Sequence, residues 1–146
     1  MDDALRFHFD VDGENFTSAG EASVQMKKKL RQLGFDAETI RKVSIAMYEG
    51  EINMVVHARG GRADVSIGPG CIEIVLEDDG PGIPDIALAM QEGYSTAPDN
   101  IRALGFGAGM GLPNMKRYTD EMKIDTVLKK GTTVTMKVYI NTAKQA

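Results

Sequence analysis

Cysteine occurs once, as Cys71, and histidine twice, as His8 and His57. A lone thiol rules out an intramolecular disulfide, and two distant histidines give no metal-ligand spacing, so a reducing compartment fits best. Long apolar runs are also missing. No stretch approaches the ~18 residues that a membrane-spanning helix needs, and the opening MDDALRFHFD lacks the basic flank and apolar core of a secretory leader. The expected location is the cytoplasm, with no membrane partner. Positive charge is not in excess: 17 basic against 21 acidic residues give a net charge of -4. Apart from Lys27–Arg31, which reads as the solvated face of a helix, the basic residues are scattered. This argues against nucleic acid as a ligand. Internal repeats and low-complexity segments are absent, and 146 residues suit a single domain, 1–146, with a core that needs no covalent staple.

Two familiar phosphate loops are missing as well. Of the 16 glycines, many fall between Asp78 and Gly111, in DDGPGIPDIALAMQEGYSTAPDNIRALGFGAGMG. Gly105, Gly107, Gly109 and Gly111 are spaced by two, so the third glycine of G-x-G-x-x-G would fall on Met110 or Leu112. No G-K-[ST] follows them either, which excludes the Walker A loop. Yet glycine at alternate positions lets backbone N–H groups approach a ligand closely, and a helix start beyond such a run favours an anion. The segment reads as a different kind of phosphate cradle.

Around it the chain alternates simply. Leu5 to Val11 reads as a strand closed by Asp12-Gly13. Ser18-Ala-Gly-Glu resembles a capping box, and Ala19, Ala22, Met26, Leu30 and Leu33 recur at helical spacing as far as Gly34. Asp36 is placed to cap a second helix running to about His57 or Arg59, before Gly60-Gly61. Beyond Ile45 its apolar residues occur all round, the pattern of a helix covered on most sides. Gly50 within it predicts close packing.

Ala63–Gly68 and Cys71–Glu77 read as strands joined by Gly68-Pro69-Gly70, the second delivering Asp78 at its end. The polar span from Met90 to Gly105 has no apolar period and predicts a mobile lid. Leu112–Glu121 then reads as a helix with Pro113 in its first turn. Met122–Leu128 and Thr132–Tyr139 follow as strands, joined at Lys129-Lys130-Gly131. The order β-α-α-β-β-loop-α-β-β is not that of a doubly wound parallel sheet; it predicts an α+β fold with helices layered on one face of a largely antiparallel sheet.

Glu49, Asn53 and His57 are spaced by four and share one face of the second helix. Two readings of the first pair stand side by side. Either neighbouring side chains satisfy them, or they line a polar pocket where Asn53 offers a hard oxygen to a phosphate-bound metal and Glu49 polarises an attacking hydroxyl. His57 reads as a hydrogen-bonded core histidine. Arg102, in the lid, is either solvated or reaches a terminal phosphate.

Taken together, these segments resemble one family, the GHKL ATPases, and within it the compact serine/threonine kinases of the anti-sigma-factor and switch-kinase branch. Glu49 and Asn53 match the E-x-x-x-N helix motif, with His57 where that branch often has histidine. Asp78, Gly80 and Gly82 match D-x-G-x-G. Gly105, Gly107, Gly109 and Gly111 match the glycine-rich lid and helix start, and Gly131-Thr132 the late G-T motif. Each motif alone is weak; four in order across about Phe16 to Tyr139 are specific.

The resemblance implies a Bergerat-type two-layer sandwich of about five strands, largely antiparallel or mixed, with helices on one face. It also implies ATP and Mg²⁺ as cofactors. Asp78 would accept a hydrogen bond from the adenine amine, Gly82 and Thr132 would help to shape the base pocket, Gly80 would be a further cofactor-binding residue, and the four lid glycines would wrap the phosphates. Asn53 would be the metal ligand and Glu49 the general base. The implied activity is phosphorylation of a small STAS-type antagonist protein. A sigma factor or a phosphatase is a further implied partner, and a homodimer an implied assembly. The alternative function is a nucleotide-gated binding protein that sequesters such a regulator without phosphoryl transfer.

Overall fold

The computed structural model describes residues 5–13, 19–91 and 111–140. Five strands, β1 (Leu5–Asp12), β2 (Gly60–Ile67), β3 (Cys71–Asp78), β4 (Glu121–Val127) and β5 (Gly131–Tyr139), form one sheet in the order β1-β2-β3-β5-β4. Every pairing is antiparallel. The helices are α1 (Glu21–Gln32), α2 (Ala37–Ala58), a single turn α3 (Ile86–Ala89) and α4 (Gly111–Arg117). This is the expected α+β sandwich.

Period-two patterning assigns the sheet faces. Ile72, Ile74 and Leu76 of β3 and Val134, Met136 and Val138 of β5 are buried, while the intervening residues are half-buried or exposed. The inner faces meet Met26 and Leu30 of α1, Val43 and Met47 of α2 and Met115 of α4 in one core. Helix α2 is the centre of the helical layer, packing on α1, α4 and the sheet. Its closest approach is at Gly50, where a Cβ would lie 2.0 Å from Leu76 Cδ1 and 3.2 Å from Met115 Cε. The close packing expected there is observed. Among the described residues no helix is long and apolar enough to cross a membrane.

Several boundaries differ from expectation. Helix α1 starts at Glu21 behind Gly20, with no side-chain cap of its own, and Ser18, of the expected capping box, lies outside the described residues. The cap comes from α2 instead: the buried Glu51 carboxylate accepts hydrogen bonds from the N–H groups of Gly20, Ala22 and Ser23 at 2.9, 3.1 and 3.1 Å. Leu33, expected on the apolar stripe, is 46% exposed, because α1 ends before it. Beyond Ile45, α2 is covered on most sides as expected, with Tyr48 the exposed exception and Ile45, Ile52 and Val56 half-buried. Strand β2 begins at Gly60, three residues early, because Gly60 and Gly61 pair with Asp12 and Val11. Helix α4 ends at Arg117 rather than Glu121, since Asp120 N–H bonds to Lys137 C=O and Glu121 opens β4.

Candidate nucleotide site

Strand β3 carries Asp78 at its end, paired across the sheet with Thr132 of β5. Its Oδ1 accepts two main-chain hydrogen bonds, from Gly80 N–H at 2.9 Å and Thr132 N–H at 3.2 Å. Its Oδ2 takes none from a described residue. The carboxylate is thus fixed through one oxygen and offers the other. Asp79 points elsewhere, paired with Arg62 at 3.2 Å.

Glycine is required around Asp78 by space. At Gly131, with φ 138°, a Cβ would lie 2.0 Å from Asp78 O; at Gly82, with φ 82°, it would meet Val127 O at 2.8 Å. The Lys129 N–H to Pro81 C=O bond of 2.8 Å ties the β4–β5 turn to the same segment. Thr132 is buried and its Oγ1 lies 2.9 Å from Thr126 Oγ1, which in turn accepts from Ile83 N–H at 2.8 Å. Asp78, Gly80 and Thr132 are therefore joined by hydrogen bonds, and Gly82 packs against the β4–β5 turn beside them. Thr126 belongs to this group too; nothing in the sequence singled it out.

Helix α2 supplies the other side. The Glu49 Oε2 accepts a hydrogen bond from Asn114 Nδ2 of α4 at 3.1 Å. Asn53 Oδ1, one turn on, makes no hydrogen bond to a described residue and lies 3.8 Å from where a Cβ on Gly111 would stand, as does Glu49 O. Glu49 and Asn53 thus meet the start of α4, and neither is buried in the core. His57 lies at the other end of this face. Partial burial pushes its pKa down, and the negative charge of Asp78 acts against that shift. Gly105, Gly107, Gly109, Arg102 and nearly all of the expected lid lie outside the described residues.

This donor set fits an adenine nucleotide. A fixed carboxylate with an unused oxygen is able to accept from an exocyclic amine, and the backbone at Gly82 and Gly131 leaves no room for a side chain. No group of three or more His, Cys, Asp or Glu among the described residues could hold a metal ion by itself. The single amide oxygen of Asn53 suits a hard divalent ion that takes its remaining ligands from phosphate and water.

Comparison with known proteins agrees with this geometry. The family described as histidine kinase-like ATPase domain matches residues 16–138. The chain is 34% identical over 122 residues to the anti-sigma F factor of Clostridium novyi strain NT, covering 80% of this chain and 82% of that protein. It is 32% identical over 108 residues to the serine/threonine-protein kinase RsbT of Bacillus subtilis strain 168, covering 71% and 75%. A crystal structure of RsbU and RsbW domains from Mycobacterium tuberculosis superposes with a TM-score of 0.62 at 18% identity, over 92% of this chain but only 32% of that one. That last likeness is one of fold.

Proposed function

The chain belongs to the histidine kinase-like ATPase domain family, and within it we propose that it is an ATP-dependent serine/threonine protein kinase acting on a small STAS-type antagonist protein. The observation that carries the reading is Glu49: a carboxylate one turn from Asn53, at the start of α4, with Oε2 engaged by Asn114 and Oε1 bonded to no described residue. A module that only sensed nucleotide would need Asp78 and the glycines, but no carboxylate here. The names of its relatives, an anti-sigma factor and a serine/threonine kinase, support the same branch.

In this reading Asp78 Oδ2 accepts from the adenine amine while Gly80, Gly82 and Thr132 shape the base pocket. Gly111, with Gly105, Gly107 and Gly109 before it in the sequence, would offer main-chain N–H groups to the phosphates. Magnesium bound with the triphosphate would neutralise phosphate charge, and Asn53 would be the residue that holds it. Glu49 orients the acceptor hydroxyl and takes its proton as the oxygen bonds to the γ-phosphorus and the bond to the leaving ADP oxygen breaks. Positioning and electrostatics do most of the work in such transfers.

The partner is first obtained by pull-down from native lysate with and without ATP. With that partner, Glu49→Ala is expected to retain Mg²⁺-ATP binding, because Asn53 and Asp78 remain, and to lose phosphoryl transfer by roughly 10²–10⁴-fold. If wild type transfers no phosphate and binding alone responds to nucleotide, the protein is a gated capture module for a sigma factor or phosphatase. Transfer at an unchanged rate by Glu49→Ala would keep the kinase and remove Glu49 from its mechanism.

A further inference from the structure

Asn114 has no part in any of the motifs that mark this fold, yet it is the described residue that touches the Glu49 carboxylate. Its amide is oriented from both ends. Nδ2 donates to Glu49 Oε2 at 3.1 Å, and Oδ1 accepts from Arg117 Nη1 at 3.4 Å. The flipped amide would set oxygen against carboxylate and NH₂ against guanidinium, so the two neighbours select one rotamer. The first turn of α4 is held firmly beneath it. Leu112 and Met115, on either side of Pro113-Asn114, are 6% and 1% exposed, and Met115 Cε reaches the notch that Gly50 leaves in α2. Gly50 follows Glu49 directly, so the packing that seats α4 also sets the distance between Asn114 and the carboxylate.

Resting on the kinase reading above, we propose that Asn114 is a positioning residue for the general base. A glutamate side chain on a partly exposed helix face has several staggered rotamers open to it. The Asn114 amide selects among them by occupying Oε2, which leaves Oε1 as the oxygen presented to the acceptor hydroxyl.

The test is single-turnover ADP formation by the full chain with Mg²⁺-ATP and the partner recovered by the pull-down above as acceptor, alongside ATP binding and melting curves. Asn114→Asp is the informative variant: it keeps the shape and the Arg117 contact but replaces the donor with a second carboxylate. We expect Asn114→Asp and Asn114→Ala to slow turnover about 10- to 100-fold with ATP affinity within about twofold, and the double variants with Glu49→Ala to be no slower than Glu49→Ala alone. A merely structural asparagine would tolerate the isosteric Asp, and its effects would add to those of Glu49→Ala. Wild-type turnover in Asn114→Asp, or additive losses, would overturn the proposal while leaving Glu49 as the base. Full turnover in Glu49→Ala, or no ADP formed by wild type, would overturn the general-base reading and this inference with it.

Discussion

In the reading proposed above, Asp78 is half structural and half a recognition element. Two main-chain donors, Gly80 and Thr132, both use Oδ1, so replacement by asparagine keeps the bonds that hold the β3 end if the amide oxygen takes that place. The amide NH₂ then occupies the Oδ2 position and faces the adenine amine, donor against donor. Losing a charged acceptor in a half-buried site costs about 1.5–3 kcal/mol, so Asp78→Asn should weaken ADP binding by roughly 10- to 150-fold with little change in melting temperature. Titration calorimetry with ADP measures it; unchanged affinity in a well-folded variant would mean the base is read elsewhere. The motif residues were legible because glycine at fixed offsets from a carboxylate is a local pattern. Asn114 and Thr126 were not. Asn114 finds its partner 65 positions away and Thr126 bonds a main-chain group 43 positions away, and no short-range spacing records such contacts.

At the scale of elements the same limit appears at the start of α1. A capping box was sought in the sequence next to the helix, whereas the cap is a carboxylate from the middle of α2 that reaches three N–H groups. Glu51 is 3% exposed, and an apolar-looking helix position occupied by glutamate was the only sign of it. Glu51→Ala should strand those donors beneath the α1–α2 contact. Loss of a cap together with buried, unsatisfied N–H groups costs about 2–4 kcal/mol, which for a domain of this size is a melting-temperature drop of roughly 5–15 °C. Glu51→Gln, keeping one acceptor, should fall between. Thermal denaturation followed by circular dichroism decides, and an Ala variant that melts with wild type would mean water replaces the carboxylate without loss. The glycines at 60 and 61 carry a related lesson. They do end α2, with Arg59 at φ 60° as its cap, but a Cβ on Gly60 would lie 2.2 Å from Val11 O. The same residues that stop the helix are therefore the ones that let β2 pair closely with β1.

For the whole molecule, His8, Glu51 and His57 are among the groups that link folding to proton concentration, and they pull in different directions. His8, on the open face, has its pKa raised by hydrogen bonds to Asp64 and Asp10. Its contribution is complete below the unfolded value of 6.5 and fades as pH rises through the folded one. It is fully exposed and screened by salt. Glu51 is raised by burial, against the pull of its three N–H partners, so its contribution fades as pH climbs above 4.5 through the folded value. His57 has the opposite sign. Burial lowers its pKa from 6.5, with Asp78 opposing, so below 6.5 the unfolded chain takes up a proton that the folded protein refuses. Its contribution to stability is present above 6.5 and is lost as pH falls toward the depressed folded value. Comparison with His57→Gln isolates this group, because His8 and Glu51 remain in both proteins. Chemical denaturation at pH 7 and pH 5 should show wild type losing more stability than His57→Gln over that interval, at high salt as at low. Parallel losses would mean that His57 is solvated enough to charge in place. In that case a cation would stand beside Asp78 at pH 5, and the pH dependence would move from folding to nucleotide affinity.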